Sequence, residues 1–243
     1  MIRDHRLCAL VPARGGSKGI PRKNLYELAG VSLVERSVRL ARLCAQVDQV
    51  LVSTEDPEIT SLAERLNAAT PRPRPADLAS DGARTIDTVR NLVEENVLSR
   101  DDCILLLQPT TPLRTLANLD SACQLLAVNW EDVDAVISVG EVDGPHPYKA
   151  QTIREGRLVP LISGQDSSVP RQSLPAAYLP NGALYLAKIG VLLEEDTFLP
   201  ARSLPLIMPS VASINLDGPL DLLLLEAVVG KGLADNSLRD SGR

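Results

Sequence analysis

Leu7-Cys-Ala-Leu-Val-Pro-Ala-Arg-Gly-Gly-Ser-Lys-Gly-Ile-Pro-Arg-Lys-Asn-Leu25 is the stretch that decides the fold. It opens with a continuous apolar run closed by Pro12, a pattern typical of a buried strand. The glycines that follow allow backbone amides to approach a ligand closely. Like charges this close together repel one another unless an anion lies between them, so the loop indicates a site for a phosphate-rich ligand. The cations concerned are Arg14, Lys18, Arg22 and Lys23.

One alternative to a phosphate site is a basic surface turn, which has the same local composition. The loop contains neither G-x-x-x-x-G-K-[ST] nor G-x-G-x-x-G, so the usual NTPase and dinucleotide interpretations lack their motif.

Strand and helix patterns alternate along the chain after this loop. Ser32 and Asp56 stand where helix caps are expected, each before an amphipathic helix. Apolar strands are predicted at Gln49–Ser53 and at residues 103–108, and further helices at residues 85–96 and 115–128. This alternation predicts an α/β fold, a Rossmann-like and mostly parallel sheet flanked by helices.

Residues 144–180 differ in composition from the rest of the chain. They contain six prolines and little helical period, with strand candidates at Gln151–Arg154 and at residues 157–161. The predicted organisation is therefore an α/β domain of residues 1–143 and 181–229, a hairpin-bearing insertion of residues 144–180, and a flexible tail of residues 230–243.

The bulk composition excludes several classes of protein. A net charge of −6, with no basic stripe outside the loop, disfavours nucleic-acid binding. The polar start is no signal peptide, and no apolar run reaches transmembrane length. The four cysteines show no C-x-x-C spacing and fit buried thiols in a reducing compartment. We expect a cytoplasmic protein that binds neither nucleic acid nor membrane.

Residues 13–24 resemble the signature of the CMP-sialic acid synthetases, or acylneuraminate cytidylyltransferases, a family similar to the CMP-Kdo synthetases and other sugar nucleotidyltransferases. The resemblance extends from residue 7 to about residue 228, with the family's motifs in order. It implies a nucleotide-diphospho-sugar transferase type of fold with a small dimerisation insertion, and hence a homodimer. The further matching motifs are Arg74-Pro-Ala-Asp-Leu-Ala-Ser-Asp81, Gln108-Pro-Thr-Thr-Pro-Leu-Arg114, His146-Pro-Tyr-Lys149 and Pro170-Arg-Gln-Ser-Leu-Pro175.

The resemblance implies transfer of a cytidylyl group from CTP to a nonulosonic sugar acid such as N-acylneuraminate, with release of pyrophosphate. Such transfer depends on positioning and on neutralisation of charge, so cations and Mg²⁺ or Mn²⁺ are expected. By the family's motifs, Arg14, Lys23 and Asp217 are the catalytic residues. Nucleotide binding falls to Ala13, Gly15, Asn24, Arg74, Asp81, Thr85 and Gln108.

The substrate carboxylate needs a cation, and an arginine offers a bidentate fork. The resemblance assigns sugar binding to Gln108, Lys149, Arg171, Asn181 and Tyr185, with the insertion crossing to the other subunit. His146 lies between two prolines, a context that favours a structural role over that of a general base.

The predicted metal site departs from the family pattern. Where the family has Asp-x-Asp, this chain reads Asn215-Leu-Asp217. Mg²⁺ prefers carboxylate oxygens, so Asp217 is the stronger ligand, and Asn215 can ligate through its carbonyl or hold a bound water. On spacing alone, Asp217 is also a candidate helix cap. Two alternatives stay open: the same reaction on legionaminate, pseudaminate or Kdo, and a non-catalytic module that binds sugar nucleotides.

Overall fold

The apolar run after the N-terminus forms the first strand, and its five apolar residues are buried. The computed structural model describes residues 1–16, 19–71, 73–75, 78, 80, 82–164 and 168–233. The strands within these residues are β1 (Leu7–Pro12), β2 (Glu27–Leu28), β3 (Val31–Ser32), β4 (Gln49–Ser53), β5 (Cys103–Leu106), β6 (Ala135–Glu141), β7 (Gln151–Arg154), β8 (Arg157–Pro160), β9 (Tyr178–Lys188) and β10 (Ser203–Met208). The helices are α1 (Leu33–Leu43), α2 (Pro57–Arg65), α3 (Thr85–Glu94), α4 (Leu116–Val128), α5 (Ile189–Glu195) and α6 (Pro219–Gly230).

A six-stranded sheet in the order β10-β6-β9-β5-β1-β4 forms the centre of the molecule. Strand β9 runs antiparallel to both of its neighbours, whereas the remaining pairs are parallel. The sheet is therefore mostly parallel, as the alternating sequence pattern predicted. Strand β1 lies between β4 and β5. The chain therefore passes from β1 to β4 on one side and then crosses back to β5 on the other side of β1. Ligands of such sheets bind at a switch point of this kind, outside the carboxyl ends of the strands.

Both faces of the sheet are covered. Alternate residues of β1 belong to different cores: Leu7 and Ala9 pack on the side of α1 and α4, and Cys8 and Leu10 on the side of α3 and α5. This explains why the strand reads as continuously apolar. All four cysteines are buried free thiols, as predicted.

The predicted helix caps are present. The Ser32 hydroxyl accepts a hydrogen bond from Glu35 N, and the Asp56 carboxylate accepts from Glu58 N and Ile59 N. Each cap satisfies amides at the start of its helix, which otherwise lack partners. Thr115 caps α4 in the same way through Asn118 N.

The insertion carries the predicted hairpin, formed by β7 and β8, in which Ile153 lies opposite Leu158. The second strand ends at Pro160, one residue earlier than the sequence pattern indicated. The chain re-enters the large sheet at Tyr178, ahead of the predicted Pro180, because Tyr178 and Leu179 pair with the end of β6. Most of the predicted tail, residues 234–243, lies outside the described residues. Within the part that is described, no helix is long and apolar enough to cross a membrane.

Candidate active site

Two adjoining cavities lie at the carboxyl edge of the sheet and share the side chain of Gln108. We call the first, of about 390 Å³, the cationic pocket, because of its described lining residues four are arginine or lysine and none is acidic. Six of the predicted site residues line it, namely Arg14, Lys23, Asn24, Arg74, Thr85 and Gln108. We call the second, of about 480 Å³, the amide pocket, and it is lined by Gln108, Asn181, Tyr185 and Asn215 together with Glu141 and Asp143.

The glycine loop is fixed from both ends. Asn24 is buried, and its side-chain amide donates to Arg14 O at 2.9 Å, which ties the end of the loop to its beginning. Lys23 Nζ donates to Leu216 O at 2.8 Å and lies 3.7 Å from Asp217 Oδ1. The predicted catalytic triad of Arg14, Lys23 and Asp217 thus lies around one end of the cationic pocket, although Asp217 itself is largely exposed and does not line it.

Arg74 enters the cationic pocket from the proline-rich segment after α2. Its guanidinium donates to Ser53 Oγ at 3.0 Å and to Ser53 O at 2.6 Å, at the carboxyl end of β4. Burial lowers the pKa of Arg74, and the nearby charge of Arg14 adds to that shift while Glu55 opposes it. Asp81, which the resemblance assigns to nucleotide binding, and Lys18 of the glycine loop lie outside the described residues.

Ala13 and Gly15, both predicted to bind nucleotide, do not line either cavity. Ala13 is buried and its amide donates to Ser53 O. The amide of Gly15 donates to Glu55 Oε1 at 2.7 Å. A side chain at position 15 would place its Cβ 2.4 Å from the Asp56 carboxylate, so glycine is required by this close approach.

Glu55 was missed by the sequence analysis. Its carboxylate holds the glycine loop through Oε1, and its Oε2 is buried with no hydrogen-bond partner among the described residues. The available signal was its place directly after a predicted strand, where site residues of α/β folds are found.

An ion-pair network supports the outer wall of the cationic pocket. Arg84 lines the pocket, and its guanidinium is shared between Asp87 and Asp196. Arg90 contacts the same two carboxylates. Hydrogen bonds from Arg84 and Arg90 lower the pKa of Asp196 to about 2. The charge of Arg84 is therefore balanced locally, unlike a cation that faces a ligand.

Gln108 is held where the two pockets meet by its fit against Gly182. A Cβ on Gly182 would lie 2.6 Å from Gln108 Oε1, and the backbone there has φ +75°, a conformation that favours glycine. Tyr185 lines the amide pocket behind it, and burial raises the pKa of its hydroxyl. Asn181 also lines this pocket, but its amide already bonds to Ser138, Ala183 and Ser213.

The loop that carries Gln108 rests on a buried arginine. Arg114 donates to Gln108 O and to Thr111 O, each at 2.7 Å, and also to the Ser37 hydroxyl. Burial lowers the pKa of the Arg114 guanidinium to about 9, so it stays charged at neutral pH. In the sequence, Arg114 is recognisable only as the end of a matching motif, and the structure shows that it fixes the backbone of the loop that carries Gln108.

Asn215 and Asp217 lie beside this loop. Asn215 Nδ2 donates to Asp217 Oδ2 at 2.6 Å, while the Thr111 hydroxyl lies 3.2 Å from Asn215 Oδ1 and 3.1 Å from Asn181 O. The carboxylate of Asp221, and not that of Asp217, bonds to the first amides before α6. The helix-cap alternative for Asp217 is therefore wrong.

The two predicted cations of the sugar site lie outside the lining of the amide pocket. Arg171 is exposed and donates to Asp143 O at 2.6 Å and to Val142 O at 3.0 Å, two residues that do line this pocket. Lys149 ends a short 3₁₀ turn, Pro147–Lys149. His146 is buried, accepts from Tyr148 N and contacts Pro175 O, so its role is structural, as predicted.

A family model described as cytidylyltransferase matches residues 8–152. The CMP-N,N'-diacetyllegionaminic acid synthase of Legionella pneumophila is 31% identical over 229 residues, which cover 92% of this chain and 96% of that protein. The N-acylneuraminate cytidylyltransferase of Streptococcus agalactiae is 27% identical over 233 residues, 95% of this chain but 54% of that protein. Among solved structures, a CMP:2-keto-3-deoxy-manno-octonic acid synthetase complexed with CTP shares the fold, with a TM-score of 0.65, 16% identity, and coverage of 93% of this chain and 99% of that one. The chain therefore belongs to the cytidylyltransferase family, as a relative of the CMP-sialic acid synthetases that its sequence resembles.

Proposed function

We propose that this chain transfers a cytidylyl group from CTP to a sialic-type nonulosonic acid and releases pyrophosphate. The observation that carries this proposal is the pair of pockets joined at Gln108, one cationic and one rich in amides and hydroxyls. A nucleoside triphosphate fits the first and a polyhydroxylated sugar the second. The α-phosphate of CTP then lies close to Gln108, where the two substrates meet.

The cationic pocket supplies the charge that this reaction needs. Arg14 and Lys23 face a triphosphate from the glycine loop, and Arg74 faces it from the segment after α2. Hydrogen bonds hold the Lys23 and Arg74 side chains in place before the ligand arrives. Preorganised cations stabilise the charge that develops on the leaving pyrophosphate.

The amide pocket binds the sugar acid through neutral groups. Gln108 offers a donor and an acceptor to a hydroxyl or N-acyl group, and the protonated hydroxyl of Tyr185 offers a donor. The carboxylate of the acid needs a cation. Of the cations that the sequence predicts for the sugar site, Arg171 bonds to two residues that line this pocket and is the candidate.

A divalent metal, Mg²⁺ or Mn²⁺, fits the oxygen donors of Asp217 and Asn215. The described residues contain no group of three or more His, Cys, Asp or Glu side chains placed to hold a metal ion, so in this proposal phosphate and water oxygens complete the coordination. When bound, such an ion adds positive charge at the phosphates and draws electron density from the reacting phosphorus.

The acceptor is proposed at the level of its class. The 31% identity to the legionaminic acid synthase makes legionaminate the second candidate beside N-acylneuraminate. Pseudaminate, Kdo and a non-catalytic role in binding sugar nucleotides remain the further alternatives.

A homodimer is proposed on the exposed face of the insertion. Leu161 and Ile162 are exposed, whereas Val159, Val169 and Leu174 are half-buried. The most exposed large apolar side chains of the insertion are those of the paired Ile153 and Leu158, which are 71% and 72% exposed. Neighbouring apolar side chains of this size favour a partner surface, and a two-fold dimer is its commonest form.

A cytoplasmic location also stays a prediction, supported by the four buried free thiols.

The deciding experiment measures pyrophosphate release from CTP and Mg²⁺ with a panel of acids: N-acetylneuraminate, N,N'-diacetyllegionaminate, pseudaminate and Kdo. We expect release with at least one nine-carbon acid, together with the matching CMP-sugar. UTP in place of CTP serves as the control for the nucleotide. Silence with every acid, in a protein that still binds CTP, would support the non-catalytic alternative.

A further inference from the structure

Asn215 lies between the two pockets and contacts the side chains on both sides. It lines the amide pocket, its oxygen lies within reach of the Thr111 hydroxyl, and its nitrogen donates to Asp217. Thr111 is buried and its position is fixed by Arg114, which binds the Thr111 carbonyl. Asn215 therefore transmits the position of a rigid loop to an exposed carboxylate. Only a side chain with one acceptor and one donor can serve both neighbours in this way.

The neutral charge of Asn215 matters as much as its hydrogen bonds. An aspartate in the same orientation would place a carboxylate oxygen 2.6 Å from Asp217 Oδ2, where the amide nitrogen now lies. Two carboxylate oxygens at that distance repel one another unless a proton or a cation lies between them. With Asn215, the carboxylate of Asp217 is held in place without either.

Asparagine instead of aspartate at position 215 also affects the charge that a triphosphate encounters in the cationic pocket. The cationic pocket presents Arg14, Lys23 and Arg74, and the acid nearest to Lys23 Nζ in the ion pairs of the described residues is Asp217, at 3.7 Å. A second carboxylate at position 215 would add a negative charge beside this end of the pocket. It would weaken the binding of a metal-free triphosphate and strengthen the binding of a divalent cation.

We propose that Asn215 is a positioning residue that allows the cationic pocket to bind CTP without a divalent cation, by orienting Asp217 through a neutral amide. This inference rests on the proposed function, because it takes CTP as the ligand of that pocket. It concerns binding only, so the metal can still be required for turnover.

The test is calorimetric titration of CTP into the full chain, once in EDTA and once in excess MgCl₂. The variants are Asn215→Asp, which adds the charge, and Asn215→Ala, which removes both hydrogen bonds without adding charge. Gln124→Glu is the matched control, since it makes the same change from amide to acid at an exposed position of α4. The midpoint of thermal unfolding, with and without Mg²⁺, provides a second measurement that needs no nucleotide.

We expect the wild type to bind CTP in EDTA within a few-fold of its affinity in Mg²⁺. Asn215→Asp should lose about tenfold in EDTA and recover in Mg²⁺, since one added charge at a partly solvated site is worth about 1–2 kcal/mol. Its unfolding midpoint should rise with Mg²⁺ more than that of the wild type. Asn215→Ala should lose a few-fold in EDTA, because Asp217 is released from its orientation, and Mg²⁺ should not restore this loss as it does for Asn215→Asp. Gln124→Glu should keep the wild-type affinity in EDTA.

Two results would overturn the inference. One is a wild type that binds CTP in Mg²⁺ but not in EDTA, and the other is an Asn215→Asp variant with the wild-type ratio of the two affinities. A wild type that binds CTP under neither condition is a different result, because it would remove the proposed function and this inference with it.

Discussion

The cationic pocket and the amide pocket share one side chain, Gln108, and differ in how complete they are. The cationic pocket carries all its charges on the same chain, where Arg74 is held by Ser53 at the end of β4 and Lys23 by the carbonyl of Leu216. The amide pocket has two acidic residues in its described lining and no lysine or arginine, although its expected ligand is an acid. Its missing cation must come from the rim. In the proposed function, the nucleotide site therefore has its cations within the α/β domain, whereas the site for the sugar acid needs a cation from the insertion.

Removal of a cation from the complete pocket gives the largest expected effect. We predict that Arg14→Ala and Lys23→Ala each lower kcat by about 100-fold or more, because preorganised charge at the leaving pyrophosphate is lost. Arg22→Ala is the control from the same loop, since Arg22 pairs with Asp56 and Glu58 outside this pocket. Steady-state kinetics and circular dichroism check the prediction, and wild-type turnover in both pocket variants would contradict the assignment.

The shared wall of the two pockets is tested through its buried support. Arg114→Met leaves the carbonyls of Gln108 and Thr111 without their donor, and a buried unsatisfied carbonyl costs about 1–3 kcal/mol. Since the substitution also relieves the burial of a charge, we expect a net loss of about 2 kcal/mol in the free energy of unfolding.

Urea denaturation measures this loss. KM should rise for both substrates of Arg114→Met, because Gln108 serves both pockets. Arg100→Met provides the control, as it breaks an exposed pair with Glu194 and a long, exposed hydrogen bond to Gly190 O and should change stability by less than about 1 kcal/mol. A rise in KM for one substrate alone would show that the two walls are held independently.

The incomplete pocket is tested at its rim. Arg171→Ala should raise KM for the sugar acid about tenfold and leave KM for CTP unchanged, since a hydrogen bond to a charged group is worth about 1.5–3 kcal/mol. The family resemblance predicts that Arg171 serves the partner subunit, whereas its bonds to Val142 and Asp143 keep it at the rim of its own pocket.

Subunit mixing separates these two possibilities. Arg14→Ala and Arg171→Ala chains are combined under conditions that exchange subunits, at a low concentration of sugar acid. If Arg171 acts across the interface, one site of the mixed dimer carries both changes and the other carries none, so each mixed dimer regains about half the activity of a wild-type dimer. Proven exchange without recovery would place Arg171 in its own chain's site.

The ion-pair network at the outer wall gives the smallest expected effect. Asp196 has its pKa lowered to about 2 by hydrogen bonds from Arg84 and Arg90. A lowered pKa in the folded state adds stability that is present above about pH 4 and is lost as the pH falls towards 2. The difference in unfolding midpoint between wild type and Asp196→Asn should therefore be constant above about pH 5 and vanish near pH 2. A difference that grows on acidification would contradict this origin.

The sequence predicted the features whose causes are local. Ser32 and Asp56 are recognisable as caps because each bonds to amides two or three residues further on. The glycine loop and its cations were recognised for the same reason, since five apolar residues and a proline mark the strand that precedes them.

The features that were missed depend on contacts between distant parts of the chain. The bond between Thr111 and Asn215 joins positions 104 residues apart, and it forms only because β9 inserts between β5 and β6. No periodicity in the sequence indicates that β9 runs antiparallel there. The role of Arg114 likewise depends on Ser37, which lies 77 residues earlier.

The continuity of β6, the insertion and β9 has a consequence for the evolution of acceptor choice. Most of the described lining of the amide pocket comes from residues 140–144 and 179–185, which bracket the hairpin in one stretch of chain. The described lining of the cationic pocket instead draws on three separate segments, within residues 12–24, 74–88 and 108–110. If the amide pocket binds the acceptor, as proposed, its preference can be exchanged or engineered largely as a single cassette of roughly residues 140–185, while the cationic pocket is left untouched. Recombination at the two ends of such a cassette offers a direct route from one sugar acid to another.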